Sequence, residues 1–149
     1  MSEHDRALAA LTGLAIGDAL GMPTQLMSRE QVAARYGSIT TFLPAADDHP
    51  LAAGMPAASI TDDTEQALLT ARLIIEGHGH VEPATFAREL VAWEDGMRAK
   101  GSLDLLGPST KRAVDAVLAG ESLEEAGRYG TTNGAAMRVT PVGLARRTR

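Results

Sequence analysis

Residues 60–66 read Ile-Thr-Asp-Asp-Thr-Glu-Gln, placing the Thr61 hydroxyl and the carboxylates of Asp62 and Asp63 where an apolar helical pattern begins. Within a regular helix, neighbouring side chains point about 100° apart, so two consecutive aspartates cannot both face one spot from a helical turn. At a helix start the chain is still extended, and Thr61, Asp62 and Asp63 can converge on one ion or serve two neighbouring ions. An all-oxygen donor set suits a hard cation such as Mg²⁺, Mn²⁺ or Ca²⁺ rather than zinc or copper. The same residues also make a good helix start. Threonine and aspartate are favoured N-caps, and acids in the first turn gain about 0.3–1 kcal/mol each from the helix dipole. From the residues alone, ligand and cap are both open.

Two other segments carry chemistry. Residues 129–138 read Tyr-Gly-Thr-Thr-Asn-Gly-Ala-Ala-Met-Arg. Gly130, Asn133 and Gly134 permit unusual backbone angles and exposed N–H groups, which can cradle phosphate or ribose oxygens or simply make a turn. Residues 17–21 read Gly-Asp-Ala-Leu-Gly. There Asp18 sits on an apolar, glycine-lined helix and needs a partner, because an unpaired buried charge is costly. It could orient a metal ligand or bond to a neighbouring backbone. His4, His49, His78 and His80 show no ligand spacing, and residues 78–80 read as a solvated turn.

The elements that must position these groups are helical. The chain has 149 residues, 44% hydrophobic and 22% charged but only 3% aromatic, as expected of one globular domain rich in alanine and leucine. Net charge is −5, and the one basic run lies at residues 146–149, which argues against nucleic acid as a partner. The absence of cysteine excludes disulfides, thiolate metal sites and cysteine nucleophiles, and fits a cytoplasmic protein. Residues 7–22 are the longest apolar stretch, short for a bilayer and interrupted by Asp18. The N-terminus has no basic signal region, so no membrane role is expected.

Helical periodicity over residues 5–21 puts Leu8, Leu11, Ala15 and Ala19 on one side and Gly13, Gly17 and Gly21 on another. Glycine inside a helix costs about 1 kcal/mol against alanine, so the repeated stripe predicts close approach of another backbone or a ligand. Ser28 and Gln31 form a capping-box pattern for a second helix, closed by Gly37. Residues 37–60 read as a long loop in which only 39–43 could form a strand. Further helices are predicted from Thr61 to about Glu76, from Pro83 to about Lys100, from Gly107 to Gly120, from Ser122 to Gly127, and onward from Pro141. The expected fold class is all-α.

Taken in order, Gly17-Asp-Ala-Leu-Gly21, Thr61-Asp-Asp-Thr64 and Thr132-Asn-Gly-Ala-Ala-Met-Arg138, followed by Pro141 and Gly143, resemble the ADP-ribosylglycohydrolase family, which includes the dinitrogenase reductase-activating glycohydrolases. The resemblance implies the helical fold of that family with a binuclear Mg²⁺ or Mn²⁺ centre. It implies hydrolysis of the glycosidic bond joining ADP-ribose to a protein or small acceptor. It makes Thr61, Asp62 and Asp63 metal ligands, with Asp62 and Asp63 catalytic, and lays Gly130, Asn133 and Gly134 against the ADP-ribose. Asp18 and Gln25 would support them from behind. Gln25 stands where family enzymes often have glutamate, and an amide cannot carry a proton. The family domain is longer, with a late Asp-Thr-Asp-type motif that completes the metal site. Residues 1–149 are therefore expected to be a single domain truncated on its C-terminal side, with impaired activity. An inactive ADP-ribose-binding or structural relative, or a nucleoside or ribosyl hydrolase, are the alternatives.

Overall fold

The computed structural model describes residues 1–146 and is all-α, with no strand among the described residues. Helix α1 spans Glu3–Gly21 and runs into a 3₁₀ turn, Met22–Thr24; α2 spans Arg29–Tyr36. After the long loop come α3, Asp62–Glu76, α4, Pro83–Ala99, and α5, Pro108–Leu118. A short α6, Leu123–Ala126, a 3₁₀ segment, Asn133–Arg138, and α7, Thr140–Ala145, complete the order. The option of a strand at 39–43 is not taken up; that stretch is irregular. Of the basic run at 146–149, residues 147–149 lie outside the described residues.

Local chemistry sets the boundaries. Ser2 caps α1 in a reciprocal box with Asp5, and Ser28 caps α2 in the same way with Gln31. Pro83 and Pro108 occupy the first turns of α4 and α5, where a missing N–H costs no helical bond. Gly37 ends α2 at φ 65°, a conformation that a side chain disfavours.

One core cluster joins α4, α5 and the loop between them through Ala87, Leu90, Leu106 and Val114. A smaller cluster of Met22, Ala45 and Ala52 anchors the 37–61 loop to the end of α1. Buried His49 shapes that loop: its Nδ1 accepts from the backbone N–H groups of Leu51 at 3.2 Å and Ala52 at 2.9 Å. Arg35 on α2 ties the same loop down through Asp48 at 2.6 Å.

The glycine stripe of α1 departs from expectation. A Cβ at Gly13, Gly17 or Gly21 would meet nothing within 4 Å, so no described backbone approaches there. That face is exposed, as are Leu8 and Ile16, while Ala19 on the opposite side is buried. The helix docks through Asp18 and Ala19, not through its glycines. With the turn that follows, Glu3–Thr24 has the length that would suit a membrane span; its most apolar 18 residues have a mean hydropathy of 1.3, and 17% of those are buried. Its Asp18 is nevertheless bonded to α3.

Candidate metal and substrate site

The site grows from the N-terminal end of α3. A helix start leaves backbone N–H groups without partners, and here carboxylates from elsewhere supply them. Asp18 of α1 accepts from the Thr61 N–H at 2.8 Å, the Thr61 hydroxyl at 2.6 Å, the Thr64 N–H at 3.2 Å and the Thr64 hydroxyl at 2.5 Å. Asp104, in the loop between α4 and α5, accepts from the Asp62 N–H at 2.9 Å. Thr61 is the N-cap, its Oγ1 facing the Asp63 N–H at 3.5 Å. The cap reading of Thr61 is therefore real. It does not use up the hydroxyl, whose proton goes to Asp18 and leaves oxygen lone-pair capacity.

Asp62 and Asp63, being released from capping duty, are half-buried and crowd other acids. Asp18, Asp62, Asp63, Glu65 and Asp104 all act on this cluster, with the guanidinium of Arg138 opposing them at Asp63. Burial pushes the Asp62 carboxyl up to about 7, reinforced by the charges of Asp104, Asp63 and Asp18 and by its hydrogen bond to Asp63. Burial also raises Asp63, with the Asp18 charge adding, while Arg138 pulls the other way. Asp104 is raised by burial and by the charges of Asp18, Asp63 and Glu65, against the bond from the Asp62 N–H. The helix dipole offsets only part of such an excess.

The donor chemistry here fits a hard dication. Thr61, Asp62 and Asp63 offer only oxygen, and burial together with the neighbouring carboxylates makes charge on Asp62 and Asp63 costly, a cost that a cation would offset. The number of donors is smaller than a full shell. Among the described residues no three His, Cys, Asp or Glu side chains gather closely enough to hold a metal by themselves.

The other predicted residues take several positions. Arg138 is buried, bonds to the Gly134 carbonyl and donates to Thr110 Oγ1 at 2.9 Å, and lies over the Phe86 ring at 5.8 Å. Burial lowers its pKa, and the charges of Asp62 and Asp63 hold it up, which couples the 133–138 segment to the acids. Gly134 is buried, whereas Gly130 and Asn133 are exposed. None of the three has positive φ, so the expected unusual torsions are absent. Gly134 is required by space instead: a Cβ would lie 2.5 Å from Thr110 Oγ1 and 3.1 Å from Arg138 Nη2. Gly130 and Gly134 line an apolar cavity of about 550 Å³, together with Phe86, Leu90, Val114 and Val142. Gln25 closes the 3₁₀ turn after α1 and makes no side-chain hydrogen bond to Asp62 or Asp63.

Sequence reasoning missed Asp104 and the role of Arg138. Asp104 stands alone in a loop, with no partner at helical spacing. Its signal was weak: an acid between Leu103 and Leu105, in a segment that buries Leu106.

The family model for ADP-ribosylglycohydrolase matches residues 1–149. The chain is 40% identical to the uncharacterised protein YegU of Escherichia coli K12 over 93% of this chain and 41% of that protein. It is 32% identical to an ADP-ribosyl-(dinitrogen reductase) glycohydrolase of Rhodospirillum rubrum, covering 97% of this chain and 46% of that one. It is 31% identical to the ADP-ribosylarginine hydrolase Tri1 of Pseudomonas putida GB-1, covering 96% and 37%. The chain thus spans less than half the length of these relatives.

Proposed function

This chain belongs to the ADP-ribosylglycohydrolase family, and on that premise we propose that it supplies part of a metal-dependent hydrolase acting on the glycosidic bond of ADP-ribosylated protein or a related ADP-ribosyl or ribosyl substrate. The observation that carries the reading is the acid cluster on the first turn of α3, short of positive charge and coupled through Arg138 to the 130–138 loop. Two relatives named for removing ADP-ribose, one from dinitrogen reductase and one from arginine, support this substrate class.

Thr61, Asp62 and Asp63 would hold Mg²⁺ or Mn²⁺. The bound ion would supply Lewis acidity, polarising the glycosidic centre and lowering the pKa of a water. The chain's own residues do the rest. Asp18 accepts the hydrogen bond from the Thr61 hydroxyl, which leaves lone-pair capacity on that oxygen for a cation. Asp104 fixes the backbone of Asp62. Arg138 braces Gly134 and so sets the loop on which Gly130, Asn133 and Gly134 would meet the ADP-ribose. Gln25 is an amide and offers no acid–base group; in the cation-free chain Asp62, raised to about 7, holds or releases a proton near neutrality. Proton and cation compete for the same Asp62 oxygens, so cation binding releases protons.

The test is calorimetric titration with Mg²⁺ and Mn²⁺ in buffers of different ionisation enthalpy, paired with ADP-ribose release from modified arginine and serine peptides. Proton release on binding is expected. Turnover is expected to be slow for the 149-residue chain and to rise when the remaining part of the Rhodospirillum domain is supplied in trans. Absence of cation binding under both conditions, or turnover unaffected by chelator, overturns the reading.

A further inference from the structure

Asp104 reaches α3 from a loop, so something must hold that loop. Gly101 reverses the chain at φ 76° after α4. The Ser102 N–H returns to the Met97 carbonyl at 3.0 Å, and Ser102 Oγ accepts from the Asp104 N–H at 3.1 Å. On the far side, the Leu106 N–H donates to Glu94 Oε1 at 3.3 Å, and Leu106 enters the core beside Leu90 and Val114. Asp104 is therefore pinned on both flanks, once by its own loop and once by α4.

Glu94 is an unexpected residue for this place. It is 6% exposed, in a helix face that otherwise packs Ala87 and Leu90; Arg98 reaches its carboxylate at 3.4 Å, and the Lys111 ammonium also feels its charge. A buried carboxylate costs free energy that an apolar residue of similar volume would avoid. The preceding residue, Trp93, donates its Nε1–H to Glu65 Oε2 at 2.6 Å, in the first turn of α3. Consecutive helical residues point about 100° apart. Trp93 therefore grips α3 while Glu94 grips the Asp104 loop, and together they register the two pieces of the acid cluster against each other.

We propose that Glu94 is a positioning residue for the reaction, holding Asp104 against the Asp62 N–H through the Leu106 amide. Glu94 touches neither Asp62 nor the 130–138 loop in any hydrogen bond. Its contribution to the reaction rests on the functional reading above; its effect on Asp104 does not.

The experiment follows the Asp62 and Leu106 amide resonances in ¹H–¹⁵N spectra of the full chain, which report geometry without cation or substrate. An N–H donating to a carboxylate resonates downfield. Asp104→Ala gives the position of the Asp62 amide without that bond. Glu94→Leu is expected to move the Asp62 amide upfield toward the same position, and Glu94→Gln, whose Oε1 still accepts from Leu106, to leave it near wild type. Thermal unfolding by circular dichroism checks that each variant is folded. Should Glu94→Leu fail to fold, Glu94→Asp, one methylene shorter, is expected to shift the Leu106 and Asp62 amides together. A folded Glu94→Leu with an unmoved Asp62 amide overturns the proposal. So does Glu94→Gln shifting as far as Glu94→Leu, or Leu106 moving alone in Glu94→Asp. Failure of the functional reading looks different: the amides stay coupled while wild type binds no cation and releases no ADP-ribose.

Discussion

At its N-terminal end α3 is closed from a distance, by Asp18 lying 43 residues before Thr61 and by Asp104 lying 42 residues after Asp62. At its C-terminal end it is closed by its own neighbours. The Gly77 N–H returns to Leu73 at 2.9 Å and the Gly79 N–H to Ile74 at 2.8 Å, with His78 at φ 50° and Gly79 at φ 91° making the reversal. One end has its backbone donors satisfied yet keeps an excess of half-buried negative charge; the other is closed locally, its one acid, Glu76, exposed and paired with Arg72. A helix that needed only to stop and start would use local bonds at both ends, as α2 does with Ser28, Gln31 and Gly37. The imported carboxylates mark the N-terminal end as built for something besides helix formation.

The sharpest way to break this contrast is Asp18→Ala. It removes the acceptor of bonds from Thr61 and Thr64 and leaves buried donors unpaired. Bonds to a charged group are worth more than neutral ones, though they do not add, so a loss of about 3 kcal/mol in stability is expected. Urea unfolding measures it, and Mg²⁺ affinity should fall in parallel because Thr61 loses its orientation. A loss no larger than that of an ordinary surface substitution would mean that the distant closure is decorative.

Gly77→Ala is the counterpart at the other end. The added Cβ would lie 1.8 Å from the His80 carbonyl oxygen, which is backbone and cannot swing aside. Gly77 itself has φ −87°, so the penalty is steric crowding and not torsion. About 2 kcal/mol of destabilisation is expected, with Mg²⁺ affinity of the folded protein unchanged. A loss of affinity matching that of Asp18→Ala would erase the distinction between the two ends.

The same contrast explains what could be read in advance. Helix limits rest on bonds between residues a few positions apart, and Ser28 with Gln31, Pro83, Pro108 and Gly37 announce them by type and spacing. The all-helical fold class follows from these. Thr61, Asp62 and Asp63 were visible because they are consecutive. Asp104 was not, because its relation to Asp62 exists only once the loop between α4 and α5 folds back. Asp18 was visible as a charge in need of a partner, and the partner was not. The glycine stripe of α1 shows the converse: regular spacing implies a common face, but no described backbone covers it. In the 130–134 segment, sequence pointed to torsional freedom, whereas Gly134 answers to the room left by Thr110 and Arg138.

The smallest expected effect is the most discriminating, because its sign is opposite to the others. Asp62 is raised to about 7 from the ordinary aspartate value of 3.8, so between those values the folded chain binds more protons than the unfolded one. Stability contributed by the protonated carboxyl is fully present below the unfolded pKa and is lost as pH rises through the folded one. Asp63 and Asp104 are raised too and steepen the trend. The cation-free chain should therefore melt at progressively lower temperature from about pH 5 to about pH 8. Asp62→Asn keeps the shape without the charge, flattens the profile, and should leave the variant more stable than wild type by about 1 kcal/mol at the alkaline end, after discounting for partial exposure. Saturating Mg²⁺ or Mn²⁺ should reverse the order by raising wild type and leaving the variant in place, since a ligand stabilises only the state that binds it. Calorimetric melts across that range, with and without cation, separate the possibilities. If Asp62→Asn is destabilising at every pH, the carboxylate is an ordinary first-turn acid serving the helix dipole, and the N-terminal end of α3 differs from the C-terminal end only in how far away its partners lie.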